Sequence, residues 1–185
     1  MIQIGEKPSP TFAQPLELMS DCHRRVEMFL RALILVSEQA QGGALNKMQR
    51  DEFETALRYF REAAPNHTAD EEQSLFPRMR KLDTDEVKIA LRKIEALEAD
   101  HQVAKVAHEI VEKLGQRWLA LNALTGQEVS ELNTELKRLA AIYVDHIRIE
   151  DNEVFPLAHK VLSATELNEV GHEMARRRGQ PFRAG

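Results

Sequence analysis

Two segments of this chain repeat one arrangement of histidine, acid and Phe-Pro. The first is HTADEEQSLFP at residues 67–77, and the second is HIRIEDNEVFP at residues 146–156. In each segment a glutamate follows the histidine by four residues, at Glu71 and at Glu150. Residues spaced in this way lie on one face of a helix, with their Cβ atoms about 5–6 Å apart. If both segments are helical, each His–Glu pair can therefore bind one metal ion or contribute to a bridged pair of ions.

Apolar residues recur at intervals of three and four through most of the chain, which is typical of helices that pack against one another. Four long patterns of this kind run over residues 19–33, 46–76, 83–121 and 129–155, and a short fifth one follows Ser163 and ends near Gly179. No stretch shows the alternation that is typical of a strand. The predicted fold is all-α: an antiparallel up-down-up-down four-helix bundle with a short C-terminal accessory helix. We expect an extended N-terminal arm at 1–15, the bundle at 16–160 and the C-terminal helix and tail at 161–185.

Capping residues predict where the helices begin, and one proline predicts an irregularity. The candidate N-caps are Asn46, Asp83 with Glu86 reaching back to it, Thr125, and Ser163 with Glu166. Pro65 removes a backbone hydrogen bond, so we expect a kink in the second helix just before His67.

Composition limits the class of protein. A chain of 185 residues is most simply one domain, and the net charge of −5, spread along the helical patterns, gives no support for a nucleic-acid or membrane partner. Cys22 is the single cysteine, and neither a signal peptide nor a long apolar run is present. We therefore expect a protein of the reducing cytoplasm.

Six residues are polar where the helical pattern calls for an apolar side chain: His23, His67, Glu71, His101, His146 and Glu150. Burying a polar group without a partner costs about 1–3 kcal/mol, so six would cost roughly 6–18 kcal/mol. The total stability of a domain is only about 5–15 kcal/mol. Bound metal satisfies such groups most simply, because neutral imidazoles and carboxylates become its ligands.

Two imidazoles for each metal, with the two glutamates bridging, suit a pair of iron ions. Each ion would then have four protein ligand atoms, and a solvent-derived bridge would make five. An octahedral ion would therefore keep about one open position for dioxygen, peroxide or nitric oxide. Manganese fits the same donors, whereas tetrahedral zinc uses them less naturally. The estimated positions along the helices do not place all four histidines at the same level of the bundle. His101 lies about 24 Å from the start of its helix, whereas the other three histidines lie about 10–15 Å from the same end of the bundle. Either the third helix starts to pack later, or the second extends further.

Taken together, these motifs resemble the hemerythrin-like family, also called the HHE cation-binding domain. The resemblance covers roughly residues 16–160 and implies a non-haem di-iron centre with the six residues above as ligands. Oxygen-carrying members have a further histidine four residues after the one on helix three, and Lys105 occupies that position here. This difference argues against stable oxygen carriage and favours redox chemistry, sensing or iron handling.

Other polar residues lie near the predicted ligands. Glu72, Lys105, His108, Tyr143 and Asp151 are candidates for contacts around the metal rather than for ligands. Three functions stay open at this point: a di-iron protein that binds or reacts with a small diatomic or peroxide ligand, an iron storage, delivery or iron–sulfur repair protein, and a structural bundle without functional iron. A sensor or an iron donor would also need a protein partner.

Overall fold

The structure is a computed structural model that describes residues 10–182. Most of the predicted N-terminal arm, residues 1–9, therefore lies outside the described residues. The chain forms helices α1 (Pro15–Ala40), α2 (Lys47–Glu62), α3 (Ala64–Asp70), α4 (Phe76–Met79), α5 (Asp85–Leu121), α6 (Gly126–Ile149), α7 (Phe155–Val161) and α8 (Ala164–Arg177), with π-helical turns π1 (Glu71–Leu75) and π2 (Glu150–Val154).

These elements make four long helical rods and a C-terminal helix. The rods are α1, then α2 through π1 to α4, then α5, and then α6 through π2 to α7. Both α1 and α5 pack against α2 and α6, and α8 packs against α1, α3 and π1. Residues 10–182 contain no strand, so the predicted all-helical class is confirmed. No helix within this range is long and apolar enough to cross a membrane.

Buried apolar side chains form two separate clusters along the rods. One cluster holds Leu30, Phe53 and Trp118, among others, and fills the middle and one end of the rods. The other contains Met19 near the start of α1 and Phe76 in α4, and α8 contributes to it as well. The six polar residues lie along the rods between these two clusters. In each rod, apolar residues of one cluster precede them and apolar residues of the other follow them. A polar layer therefore separates two apolar cores.

Helix starts follow the predicted caps with one exception. Asn46, Thr125 and Ser163 are confirmed as N-caps, and each forms a capping box with the residue three positions later. The prediction for Asp83 is wrong, because α5 begins one residue later and the Thr84 side chain accepts the backbone N–H of Val87. Thr84 has the extended backbone that an N-cap requires, whereas the Asp83 carboxylate pairs with a lysine side chain.

The second rod is interrupted at Ala63, close to the predicted kink. Helix α2 ends at Glu62 and α3 begins at Ala64, so Pro65 lies in the first turn of a new helix. A proline is well tolerated there because the first N–H groups of a helix have no intrahelical partner. The rod then continues to Met79, three residues beyond the predicted end, and this extension of about 4.5 Å accounts for part of the predicted mismatch in the height of His101.

Candidate metal centre

Each of the two repeated glutamates begins a π-helical turn. In a regular α-helix, the ring of the proline in Phe-Pro would collide with the carbonyl group four residues earlier. Here the helix widens instead, and the N–H groups of Phe76 and Phe155 donate to the carbonyl oxygens of Glu71 and Glu150, five residues back. The repeated sequence therefore gives both glutamates the same local backbone.

All six predicted ligand residues meet in the polar layer. The six residues lie on six different elements, and none of them is more than 9% exposed. They are His23 on α1, His67 on α3, Glu71 on π1, His101 on α5, His146 on α6 and Glu150 on π2. The sequence pattern thus located a three-dimensional cluster from residues spread over more than half of the chain.

The first half of the cluster contains His23 and His67, whose ring centroids lie 4.7 Å apart. Oε1 of Glu71 lies 3.1 Å from Nε2 of His67 and 3.7 Å from Nε2 of His23. Ligand atoms from these three residues and from Glu150 all lie within 4.8 Å of one another. This spacing is small enough for one metal ion to reach them all.

The second half contains His101 and His146, whose ring centroids lie 4.6 Å apart. Oε2 of Glu150 lies 3.3 Å from Nε2 of His146 and also 3.0 Å from Nε2 of His23. Conversely, Oε2 of Glu71 lies 3.4 Å from Nε2 of His101. Each carboxylate therefore lies between the two histidine pairs, which is the placement that a bridging ligand needs.

The buried atoms of this cluster lack ordinary partners, which tests whether a metal fits. Both oxygens of Glu71, both oxygens of Glu150 and Nε2 of His23 are buried without a hydrogen-bond partner in residues 10–182, because the short distances to the imidazoles are not aligned as hydrogen bonds. Buried polar atoms are almost always satisfied in folded proteins. A cation between these lone pairs would satisfy them at once, so the residues fit a metal.

Outer acids orient two of the histidines. Nδ1 of His23 lies 3.0 Å from Oδ1 of Asp151, and Nδ1 of His101 lies 2.8 Å from Oε1 of Glu72. A neutral imidazole that donates its Nδ1–H to a carboxylate leaves its Nε2 lone pair free. In both histidines that free lone pair is on the side of Glu71 and Glu150. Asp151 and Glu72 therefore occupy the positions of acids that orient metal-ligating histidines.

Three further polar residues were not predicted from the sequence. Ser20 donates to Asp151 at 2.6 Å, one turn before His23 on the same helix. Asp100, which precedes His101, lies 3.5 Å from Nδ1 of His146. Asp70, which precedes Glu71, is fully buried. Each of them lies close in sequence to a predicted ligand, and this was the available signal. Spacing within one helix does not show which residue of another helix a side chain will contact.

The electrostatics of the cluster favour a cation. Burial, together with the charge of Glu150, raises the pKa of Glu71 to about 7. Burial opposes ionisation of Glu150 as well, but the imidazoles of His146 and His23 outweigh it and hold the pKa of Glu150 well below its usual value. Burial also lowers the pKa of His23, yet the facing acids Asp151, Glu150 and Glu71 raise it to about 12. A proton on His23 and a metal cation are thus alternative ways to balance two buried carboxylates.

The remaining predicted neighbours lie on one side of the cluster. Nε2 of His108 and the hydroxyl of Tyr143 lie 2.8 Å apart. Lys105 is exposed and lines a cavity of about 490 Å³, the outer cavity, to which His101 and His108 also contribute. A second cavity of about 20 Å³, the inner cavity, is lined by all four histidines of the cluster and by Tyr143.

Comparison with known proteins agrees with this geometry. The chain is 29% identical over 176 residues to a protein of Haemophilus influenzae (strain ATCC 51907 / DSM 11121 / KW20 / Rd), which carries only the name "Uncharacterized protein". That similarity covers 91% of this chain and 92% of the relative. The family model of the Hemerythrin HHE cation binding domain matches residues 14–158, which include both repeated segments and all six clustered residues. The chain therefore belongs to the hemerythrin HHE cation-binding domain family.

Proposed function

We propose that this protein holds a non-haem di-iron centre that binds or reacts with dioxygen, nitric oxide or peroxide. The observation that carries the proposal is the arrangement of two imidazole pairs around two buried carboxylates whose oxygens have no hydrogen-bond partner among the described residues. His23 and His67 would hold one ion, His101 and His146 the other, and Glu71 and Glu150 would bridge them.

The donor set supports iron. Imidazole nitrogen and carboxylate oxygen suit iron and manganese, and the set contains no thiolate of the kind that favours copper(I) or iron–sulfur clusters. When bound, the metal pair would supply redox chemistry and an open coordination position. The protein's own part is to hold the imidazoles in position: Asp151 and Glu72 orient His23 and His101, and burial lowers the pKa of His67 well below its usual value, which keeps that imidazole neutral.

The size of the inner cavity supports a small ligand. Its volume of about 20 Å³ is enough for one water molecule, which needs about 10–15 Å³. Val26, Ala64 and Ile147 line it as well and give it a partly apolar wall. A ligand of one or two heavy atoms fits such a space, whereas an organic substrate does not.

The arrangement of the rods supports the antiparallel up-down-up-down bundle as the frame for this centre. One apolar cluster joins Met19 at the start of the first rod, Phe76 at the end of the second, Ile94 early in the third and Phe155 late in the fourth. Starts and ends therefore alternate at one end of the protein. The single free Cys22 supports a reducing compartment such as the cytoplasm.

The test is the metal content of the aerobically purified protein, measured with its near-ultraviolet and visible spectrum before and after reduction. We expect about two irons per chain and an absorption that reduction abolishes. The double variant Glu71→Ala, Glu150→Ala should lose iron while staying helical by circular dichroism. Glu54→Ala with Glu131→Ala removes two exposed glutamates from the same rods and should retain it.

Several outcomes would contradict the proposal. Stoichiometric zinc, or no metal after anaerobic reconstitution with iron, would leave a helical bundle with a buried polar layer. Retention of both irons in the Glu71, Glu150 double variant would show that the ligands lie elsewhere. Rapid transfer of the iron to a metal-free acceptor protein would favour iron storage or delivery over a resident centre.

A further inference from the structure

The outer and inner cavities lie side by side and share part of their walls. Four residues line both of them, and we call these residues the partition: Ala64, Thr68, His101 and Tyr143. We propose that the outer cavity is the path by which the small ligand reaches the metal centre, and that Ala64 and Thr68 set the width of the passage through the partition. The path rests on the proposed function, because it leads to the metal centre proposed above.

The exposure of the residues around the inner cavity shows on which side this cavity meets solvent. Six of its nine lining residues are buried: His23, Val26, His67, His101, His146 and Ile147. The other three, Ala64, Thr68 and Tyr143, are partly exposed, and all three also line the outer cavity. Among the described residues, the inner cavity therefore borders accessible space only on the side of the outer cavity.

The outer cavity itself opens to solvent between the second rod and α5. Its rim carries exposed side chains from both: Arg61 and Pro65 from the rod, and Gln102, Lys105 and Glu109 from α5. Its volume is about 490 Å³, whereas that of the inner cavity is about 20 Å³. A molecule small enough for the inner cavity therefore enters the outer one without hindrance, and the partition is the narrow part of the path.

The partly exposed acids around the cluster do not provide a second path. Asp100 is 44% exposed and lies 3.5 Å from Nδ1 of His146, and Asp151 is 32% exposed and lies 3.0 Å from Nδ1 of His23. Neither acid lines the inner cavity, whereas both histidines do. Because these histidines are at most 3% exposed, their rings separate the acids from the cavity.

The two aromatic rings of the partition are held in place. Nδ1 of His101 lies 2.8 Å from Oε1 of Glu72, and the hydroxyl of Tyr143 lies 2.8 Å from Nε2 of His108. Neither ring can swing aside without losing a hydrogen bond at a partly buried position. The rings therefore do not open and close the passage.

The other two residues of the partition carry small side chains. Ala64 and Thr68 are four residues apart on α3, so they lie on one face of that helix. The side chain of Ala64 is a single methyl group, and branching at Cβ restricts Thr68 to few rotamers. Because the two rings are fixed, the width of the passage depends on these two side chains. A larger residue at Ala64 would narrow the passage, and a smaller one at Thr68 would widen it.

A residue that lines a passage changes rates rather than affinity. The ligand crosses the same barrier when it enters and when it leaves, so a narrower passage lowers the association and dissociation rate constants by the same factor. The dissociation constant then stays unchanged. A residue that shapes the ligand site itself changes the dissociation constant instead.

The first test follows nitric oxide binding to the reduced, iron-loaded protein by stopped-flow spectroscopy. Ala64→Leu should lower both rate constants about tenfold, because a leucine in the passage must leave its preferred rotamer each time a ligand passes. Thr68→Ala should raise both. The matched control is Ala63→Leu, the same substitution at an exposed neighbour that lines neither cavity, and it should change neither rate.

The second test needs no metal. Dissolved dioxygen is paramagnetic and speeds the NMR relaxation of the methyl groups that it approaches. In metal-free protein we expect a larger effect on Val26 and Ile147, which line the inner cavity, than on Val36, which lines neither cavity and is as buried as Val26. Ala64→Leu should reduce the effect on Val26 and Ile147 to the level seen for Val36.

The outcomes separate the path from the metal centre. Wild-type protein without iron would refute the proposed function, and the relaxation measurement would still decide whether small molecules pass the partition. Normal iron content with rates that neither Ala64→Leu nor Thr68→Ala alters would overturn the path alone. So would a change in the dissociation constant without equal changes in both rates, or equal relaxation of Val26 and Val36.

Discussion

Nη2 of Arg178 lies 2.6 Å from Oδ2 of Asp70, and this ion pair ties the end of α8 to the residue just before Glu71. Asp70 is fully buried, and Nη1 of Arg177 lies 2.5 Å from its other oxygen. Arg177 also donates to the hydroxyl of Ser74 in π1 at 2.6 Å. The C-terminal helix is therefore anchored to the segment that presents one of the two central carboxylates.

Asp70→Ala should destabilise the protein strongly. Removing one partner of a buried ion pair leaves the other charge unsatisfied, which typically costs about 3–5 kcal/mol. The free energy of unfolding from urea titrations measures the effect. Asp145→Ala is the matched control, because the side chain of Asp145 is 74% exposed and should contribute less than about 1 kcal/mol. Similar losses in the two variants would contradict a structural role for this ion pair.

Asp151→Ala should weaken metal binding without unfolding the protein. Asp151 accepts a hydrogen bond from Ser20 and lies 3.0 Å from Nδ1 of His23, so its loss frees the imidazole to rotate and change tautomer. Removal of such an orienting acid typically lowers metal affinity by about 10- to 100-fold. Competition with a chelator of known affinity measures this, again with Asp145→Ala as the control. An unchanged affinity would show that His23 is oriented without Asp151.

Replacing both central glutamates by leucine should abolish metal binding but stabilise the metal-free protein. Glu71 and Glu150 are fully buried without hydrogen-bond partners among the described residues. A buried polar group without a hydrogen-bond partner costs about 1–3 kcal/mol, and the two substitutions remove that cost at both carboxylates. Urea unfolding of the two metal-free proteins measures the difference. A clear loss of stability would mean that the carboxylates are already satisfied in the metal-free state.

His108 and Tyr143 should be strongly coupled. Either His108→Phe or Tyr143→Phe alone leaves one buried polar group without its partner, which costs about 1–3 kcal/mol. The double variant removes both groups and should be less destabilised than the sum of the two single variants. A double-mutant cycle on the free energy of unfolding measures this coupling. Additive effects would contradict the hydrogen bond seen at 2.8 Å.

His108 should also make stability depend on pH. Burial lowers its pKa from 6.5 to about 4, so above pH 6.5 both the folded and the unfolded protein carry the neutral imidazole. As pH falls below 6.5, the unfolded chain binds a proton that the folded protein refuses, and the free energy of unfolding decreases until about pH 4. The loss between pH 7.5 and pH 5 should reach about 2 kcal/mol from this group alone. Urea titrations of metal-free wild type and His108→Phe should converge by that amount; parallel pH profiles would contradict it.

Periodicity and spacing predicted the helices, three of their caps and the six clustered residues, because these features depend on local sequence. The predictions that were wrong concern features that depend on contacts between helices. The helical pattern over residues 83–121 ends on Leu121 and so implies that this residue is buried, but it is 57% exposed, whereas Ala107, at a position outside the intervals of three and four, is fully buried. A helix of 37 residues drifts relative to any fixed interval of three and four, so the buried face of its last turn falls on Trp118 and Leu119 rather than on Leu121.

The π-helical turns were not predicted either, although the two Phe-Pro dipeptides that favour them are visible in the sequence. A proline after a helical stretch is compatible with a kink, an end or a widened turn, and packing decides among them. The acids around the histidines show the same limit. Glu72 and Asp151 were recognised as neighbours, but Asp100 was not, because its proximity to His146 arises across two helices.

The division of the four histidines has a consequence for how the protein holds together. His23 and His67 both belong to the helical hairpin of the first half of the chain, and His101 and His146 both belong to the hairpin of the second half. Each hairpin would thus bring one complete imidazole pair, and only Glu71 and Glu150 reach across. The connection between Met79 and Asp85 carries none of the six residues. The proposed centre is therefore an internal interface, at which bound metal would join two halves much as it joins subunits, and a chain cleaved at that connection would retain every ligand needed for its halves to reassociate around metal.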